Sequence, residues 1–175
     1  MNQNKNIFLG AFVSLLILGG MIWLANKPAA PTNQEANVNA GNGIITAPES
    51  SFDFGSISMA AGNVSRKFKI KNSGTGNATI NKIYTSCMCT VATLEVGGDL
   101  LAGKAGKWGP FGMPGHGFIP NLKIKLAPGE EANMEVVFDP AAHGPAGVGK
   151  IERAVIIESD AGEPLELRFT ALVTP

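Results

Sequence analysis

The chain has 175 residues, and its 14 Lys+Arg balance its 14 Asp+Glu, so the formal net charge is zero. No basic excess points to nucleic acid, and no acidic tail suggests a solvating segment. With 45% apolar residues but 22 Gly and 11 Pro, the composition fits a folded protein made of many turns rather than long helices.

The first element is the run Ile7–Ala25, 19 residues without a charge. As a helix rising about 1.5 Å per residue it nearly spans the ~30 Å hydrocarbon core of a bilayer. It is apolar on every face, which fits a membrane span better than a helix of a small soluble domain. Lys5 and the amino terminus precede it and Lys27 follows, which favours an inside N-terminus and an outside C-terminus. A cleaved signal peptide is the alternative. Against cleavage, the run exceeds the usual apolar stretch of about 7–15 residues, and no small-x-small site ends it. No cysteine follows it, which excludes a lipoprotein. Residues 1–25 are therefore expected to be an uncleaved single-pass anchor. Residues 26–47 are rich in Ala, Asn, Pro, Thr and Gln with few large apolar side chains, and are expected to form a flexible tether.

From residue 48 to 175 the pattern is that of strands. Ser51-Phe52-Asp53-Phe54-Gly55 alternates. Val64, Phe68 and Ile70 share one face of Val64–Lys71, with basic residues on the other. Asn72-Ser73-Gly74-Thr75-Gly76-Asn77 is a turn cluster, and Ala78–Thr85 is a further strand. Leu122–Leu126 alternates, Ala127-Pro128-Gly129-Glu130 has the Pro and Gly of a type II turn, and Met134–Phe138 follows. Arg153–Glu158 and Leu165–Val173 complete about seven strands. Short strands with a turn signal every 8–12 residues predict an all-β, immunoglobulin-like β-sandwich. Phe54, Phe68, Ile70, Val136, Phe138, Ile156 and Phe169 are expected in its core, and residues 95–120 form a glycine-rich insertion.

A set of motifs carries a family resemblance. Phe52-Asp53-Phe54-Gly55, Phe68-Lys69-Ile70-Lys71-Asn72-Ser73-Gly74, Ser86-Cys87-Met88-Cys89-Thr90, Leu126-Ala127-Pro128-Gly129-Glu130 and Val137-Phe138-Asp139-Pro140 occur in that order. In this order they resemble a bacterial Ig-like family of unknown function, related to the hydin, ASH and major-sperm-protein domains. The family usually has Gly between the two cysteines, where this chain has Met88, and reaches its Pro-Gly-Glu turn sooner. The resemblance implies a fold and an envelope or scaffold setting, and no reaction.

Cys87 and Cys89 are the only cysteines and lie one residue apart, so they do not staple distant strands. On an extended strand they point the same way roughly 6.6 Å apart, near the upper limit for a disulfide, so a bridge between them needs a tight bend. Three readings stay open: small buried packing residues, a labile redox pair, or ligands for a soft ion such as copper(I). Met88, with Met113 and His116 from the insertion, would complete such a site. His116 follows Met113 by three residues, facing the same ion if Pro114-Gly115 makes a turn. Trp108, Phe111 and Phe118 of the insertion are expected to form a binding surface or a packed flap. His143 reads as an exposed loop histidine, with a ligand role the lesser alternative. Gly98–Ala105 falls short of a phosphate-binding loop, because Ala105 stands where Ser or Thr must reach magnesium. No nucleophile–base set stands out.

The function expected is thus a non-catalytic, membrane-anchored binding or scaffold module outside the cytoplasm. Its partners would be the membrane, through the N-terminal helix, and an envelope protein or glycan, not nucleic acid. No cofactor is required. The alternative is a copper-binding or thiol-redox protein using Cys87 and Cys89.

Overall fold

The computed structural model describes residues 42–97 and 105–175. The expected anchor at 1–25 and the tether as far as residue 41 lie outside them. Among the described residues no helix is long and apolar enough to cross a membrane.

Ten strands follow one another in the described residues: β1 (Ile45–Thr46), β2 (Ser51–Ser58), β3 (Val64–Asn72), β4 (Ala78–Thr85), β5 (Thr90–Val96), β6 (Gly106–Phe111), β7 (Ile124–Leu126), β8 (Glu131–Phe138), β9 (Gly149–Ser159) and β10 (Leu165–Thr174). They form two five-stranded sheets, β1-β3-β8-β5-β6 and β2-β10-β9-β4-β7. Neighbours are antiparallel except β2, which runs parallel to β10. The expected all-β sandwich is the observed one. Strand β1 falls within the stretch read as the end of the tether, so the sandwich begins a few residues before Pro48.

Strict alternation decides which side chains go inside. In β3, Phe68 and Ile70 are buried while Lys67 and Lys69 face out; in β8, Met134, Val136 and Phe138 are buried. Phe138 meets Phe169 of β10 across the interior, with ring centroids 5.4 Å apart. Each such side chain contributes roughly 1.5–3 kcal/mol by leaving water. Phe54 is only half-buried, because β2 is an edge strand; its ring still meets Phe169 edge-on at 5.5 Å. Ile156 is a correction. Val155 and Ile157 point inward, and Ile156 is half-buried on the other face. The run Ala154-Val155-Ile156-Ile157 is apolar at both parities, so alternation alone does not choose between them.

The glycine-rich insertion is not merely a loop. Its middle, Gly106–Phe111, is β6, which pairs with β5 as an edge strand. Phe111 is buried in the core and Trp108 packs against it half-buried, its indole so close over Gly106 that a Cβ there would meet the ring at 2.4 Å. Only Phe118 stands exposed, so a shared aromatic surface of Trp108, Phe111 and Phe118 is not formed. The aromatics of β6 complete the interior instead.

One polar group inside the sandwich holds both sheets. Asn72, fully buried at the end of β3, uses its whole side chain. Its Nδ2 donates to the carbonyls of Gly76 at 2.8 Å and Leu126 at 2.9 Å, and its Oδ1 accepts from the backbone N–H of Ile44 at 3.1 Å and Gly74 at 3.0 Å. Leu126 belongs to the opposite sheet. A buried amide with all partners is stable, and removing it strands several backbone groups. Asn72→Ala is expected to destabilise the domain by about 2–4 kcal/mol in chemical denaturation; a change below about 0.5 kcal/mol would deny Asn72 this role.

Candidate functional site

The chain must pass from one sheet to the other between β4 and β5, and it does so within Ser86-Cys87-Met88-Cys89. The passage is a β-turn closed by the Thr90 N–H donating to the Cys87 carbonyl at 3.2 Å. The turn is tied on three sides. The Thr85 N–H donates to the Gly112 carbonyl at 3.0 Å, the Asp139 N–H to the Cys89 carbonyl at 2.9 Å, and the Ser86 N–H to the Ala154 carbonyl at 2.9 Å. The Ala154 N–H returns a bond to Ser86 Oγ at 2.9 Å. The Thr85 hydroxyl, fully buried, lies 2.9 Å from the Cys87 carbonyl and 3.1 Å from that of Thr90.

This bend supplies the geometry that two cysteines in an extended strand lack. Both thiols are free, and both residues are buried, at 8% and 3% exposure. The Cys89 N–H points at Cys87 Sγ at 3.5 Å. Met88, at the tip of the turn, is half exposed and forms the rim.

The next passage between sheets, from β8 to β9, lies alongside. Asp139, whose N–H holds Cys89, also accepts the Ala141 N–H on its Oδ1 at 2.9 Å, and this turns the chain toward His143. His143 Nε2 lies 3.1 Å from Cys87 Sγ. The ligand atoms of Cys87, Cys89 and His143 all fall within 4.8 Å of one another. Two sulfurs and one imidazole nitrogen are a donor set for a soft ion.

His143, read as a loop histidine, therefore joins the cysteines, and His116 does not. Met113 and His116 do make the expected turn around Pro114-Gly115, with the His116 N–H donating to the Met113 carbonyl at 3.1 Å. His116 is exposed there, outside the thiol cluster. Met113 is half-buried next to Gly112, the residue that holds Thr85. The signal that was missed is the Asp139-Pro140 turn, which sends the chain back over the cysteine corner.

The electrostatics are asymmetric. Burial pushes the Cys87 thiol up, but hydrogen bonds from Cys89 and His143 and the charge of Arg153 outweigh it and bring it down to about 7. Burial raises Cys89, and so does its donation to Cys87. Above about pH 7 the pair thus holds one proton, on Cys89, with the thiolate on Cys87. Burial opposes the charge of Arg153, but Cys89 and Cys87 favour it and raise the group above its ordinary range, so it stays charged.

Fold and site together define an Ig-like β-sandwich with a thiol–imidazole cluster where the chain crosses between sheets. Residues 45–107 match the family model described as a protein of unknown function (DUF1573). That stretch takes in the first three of the five motifs that carry the resemblance, and the last two, at Leu126–Glu130 and Val137–Pro140, lie beyond it. The match includes the cysteine turn and stops short of His143 and Arg153. No curated protein matches the chain. A protein of unknown function from Porphyromonas gingivalis W83 has a similar structure, with a TM-score of 0.54 and 14% identity over 80% of this chain and 51% of that one. The chain thus spans about half the length of that protein, and the likeness is one of fold. The ASH/PapD-like domain 7 of human CEP192 gives a TM-score of 0.44 and 10% identity over 76% of this chain and 87% of that one.

Thiol alkylation checks the asymmetry. With Cys87 at about 7, its rate is expected to be half-maximal near that pH and about a tenth of its plateau one unit lower. Cys89 should lag at every pH. His143→Ala removes a bond that favours the thiolate, so the midpoint should move up. Equal reaction of both cysteines with an ordinary thiol profile would show that the turn does not act on them.

Proposed function

We propose that this chain is a membrane-tethered Ig-like module outside the cytoplasm, that it works by binding rather than catalysis, and that its site takes a soft metal ion, copper above all. The observation that carries the reading is the third ligand. Cys87 and Cys89 alone would serve packing or a local disulfide equally well, whereas His143, brought to 3.1 Å from Cys87 by a different loop, adds the imidazole donor that a metal site uses. A thiol–imidazole pair also suits nucleophilic catalysis. The second thiol beside it has no part in that mechanism, and it does have one as a metal ligand. Thiolate and imidazole donors favour copper over calcium or magnesium, which require oxygen.

One observation favours a second reading, a thiol-redox pair: the turn brings the two sulfurs within 4.8 Å of each other. A bridge between residues separated by one position is strained and easily reduced.

The reduced full-length chain in detergent should take one copper(I) with sub-micromolar affinity against a competing chelator. Cys87→Ser with Cys89→Ser should abolish binding, and His143→Ala should weaken it by about tenfold or more, the usual cost of losing an auxiliary ligand. Equal, weak binding by all the variants would defeat the metal reading. If the purified chain instead carries an intramolecular disulfide that dithiothreitol opens reversibly, the redox reading gains.

The extracytoplasmic setting rests on the charge-free run Ile7–Ala25 and the polar stretch behind it. The chain should fractionate with membranes and resist extraction by high salt, while a version beginning near Asn42 should be soluble. A mature N-terminus between residues 25 and 35 would replace the anchor with a cleaved leader and leave export intact.

A further inference from the structure

The soft-ion reading of the corner leaves open the charge of the ion, and the charge balance of the site addresses it. Two thiolates carry two negative charges and a neutral imidazole carries none. A monovalent ion leaves such a site anionic, and a divalent ion leaves it neutral. Charge left over in a partly buried site has to be met by a neighbour or by water.

The neighbour is Arg153. It precedes Ala154 on β9, whose carbonyl accepts from the Ser86 N–H and whose N–H donates to Ser86 Oγ, at 2.9 Å each. This lock holds Arg153 against the base of the cysteine turn. That position sets its charge near enough to the corner to favour the Cys87 thiolate. Nη1 donates to the Glu152 carbonyl at 2.8 Å, while Nε is buried without a hydrogen-bond partner. The carboxylate of Glu152, the adjacent acid, is taken by Arg168 at 2.9 Å. A guanidinium N–H without an acceptor inside a protein is costly, and an anionic centre beside it would remove that cost.

We propose that Arg153 makes the Cys87–Cys89–His143 site selective for a monovalent soft ion, copper(I) or its analogue silver(I), over zinc(II). With a monovalent ion, the two thiolates, the ion and the guanidinium are neutral together. With a divalent ion the same set carries one net positive charge in a partly buried place. Ligand number points the same way: zinc sites ordinarily use four ligands or three plus water, and the three donors here suit a low-coordinate monovalent ion.

The test compares ions and not only affinities. Reduced full-length chain in detergent is titrated with copper(I) against one competing chelator and with zinc(II) against another, for the wild type, Arg153→Met and Arg153→Lys. Arg153→Met keeps most of the volume and removes the charge. It is expected to weaken copper(I) binding by roughly tenfold or more, the size of one partly screened charge a few ångströms away. Zinc(II) binding should be unchanged or tighter, and Arg153→Lys should recover most of the copper(I) affinity. An Arg153→Met variant that shifts both ions equally, or neither, overturns the inference while leaving the metal site standing. Silver(I) and zinc(II) competing on the wild type alone provide a check that needs no variant to fold: equal retention of the two also overturns it. Should the wild type bind neither ion, or the double serine variant bind as the wild type does, the site itself fails and the selectivity falls with it.

Discussion

The passage of the backbone from one sheet to the other at Thr85–Thr90 is the constraint on which the rest of the corner depends. A chain that leaves a sheet gives up its ladder partners, and inside a protein each freed N–H and C=O must find another. Here the replacements come from three other segments: Gly112 after β6, Asp139 after β8 and Ala154 within β9. The buried Thr85 hydroxyl bridges the inside of the turn. Because those bonds fix the peptide planes, they also fix where the Cβ atoms of Cys87 and Cys89 point. The thiols are oriented by the requirement to satisfy the backbone, before any metal or redox chemistry is considered.

The same constraint explains why His143 arrives. Strand β8 ends at Phe138, opposite Thr90 and Val64, at the level of the cysteine turn. The chain must then cross to β9 in the other sheet, and Asp139 begins the crossing bonded to Cys89. Two crossings stacked at one end of a sandwich bring their loops together. At the other end Asn72 performs the matching task with one side chain. Both ends are thus held by polar contacts that join the sheets, while apolar rings fill the space between.

Much of the fold was legible because alternation is a local property. Phe68, Ile70, Val136, Phe138 and Phe169 could be assigned from neighbours two residues away. Ile156 failed because its neighbours are apolar at both parities, and only the pairing of β9 with β4 and β10 sets the phase. Strand β6 was hidden by its glycines. Gly106 is needed because Trp108 lies over it, and Gly109, at φ 125°, would carry a Cβ 2.8 Å from the Ala92 carbonyl, so the residues that look like a loop are required by a strand. The cysteines were legible as a pair. Their partner was not, because proximity between residues 87 and 143 is set by sheet crossings and leaves no mark in local spacing. Met113 and His116 have the tidier spacing, and spacing within one loop says nothing about reaching another.

The faces of the sandwich and the corner differ in how their charged groups are matched. On the outer face of the first sheet, Lys67 and Lys107 pair with Glu95 at 3.6 and 2.9 Å, and Lys69 pairs with Glu131 at 2.9 Å. On the second, Lys82 pairs with Glu158 at 3.3 Å, and Arg168 pairs with Glu152 and Glu166. Such exposed pairs add little stability, about 0–1 kcal/mol each. Their consequence is for recognition: charges matched within a face leave a weak field for an incoming charged partner. The corner differs in kind. It holds a thiol brought down to about 7 and an exposed imidazole 3.1 Å from it, beside the charge of Arg153. Those groups are matched to one another only in part, and the soft cation proposed for the site would complete them.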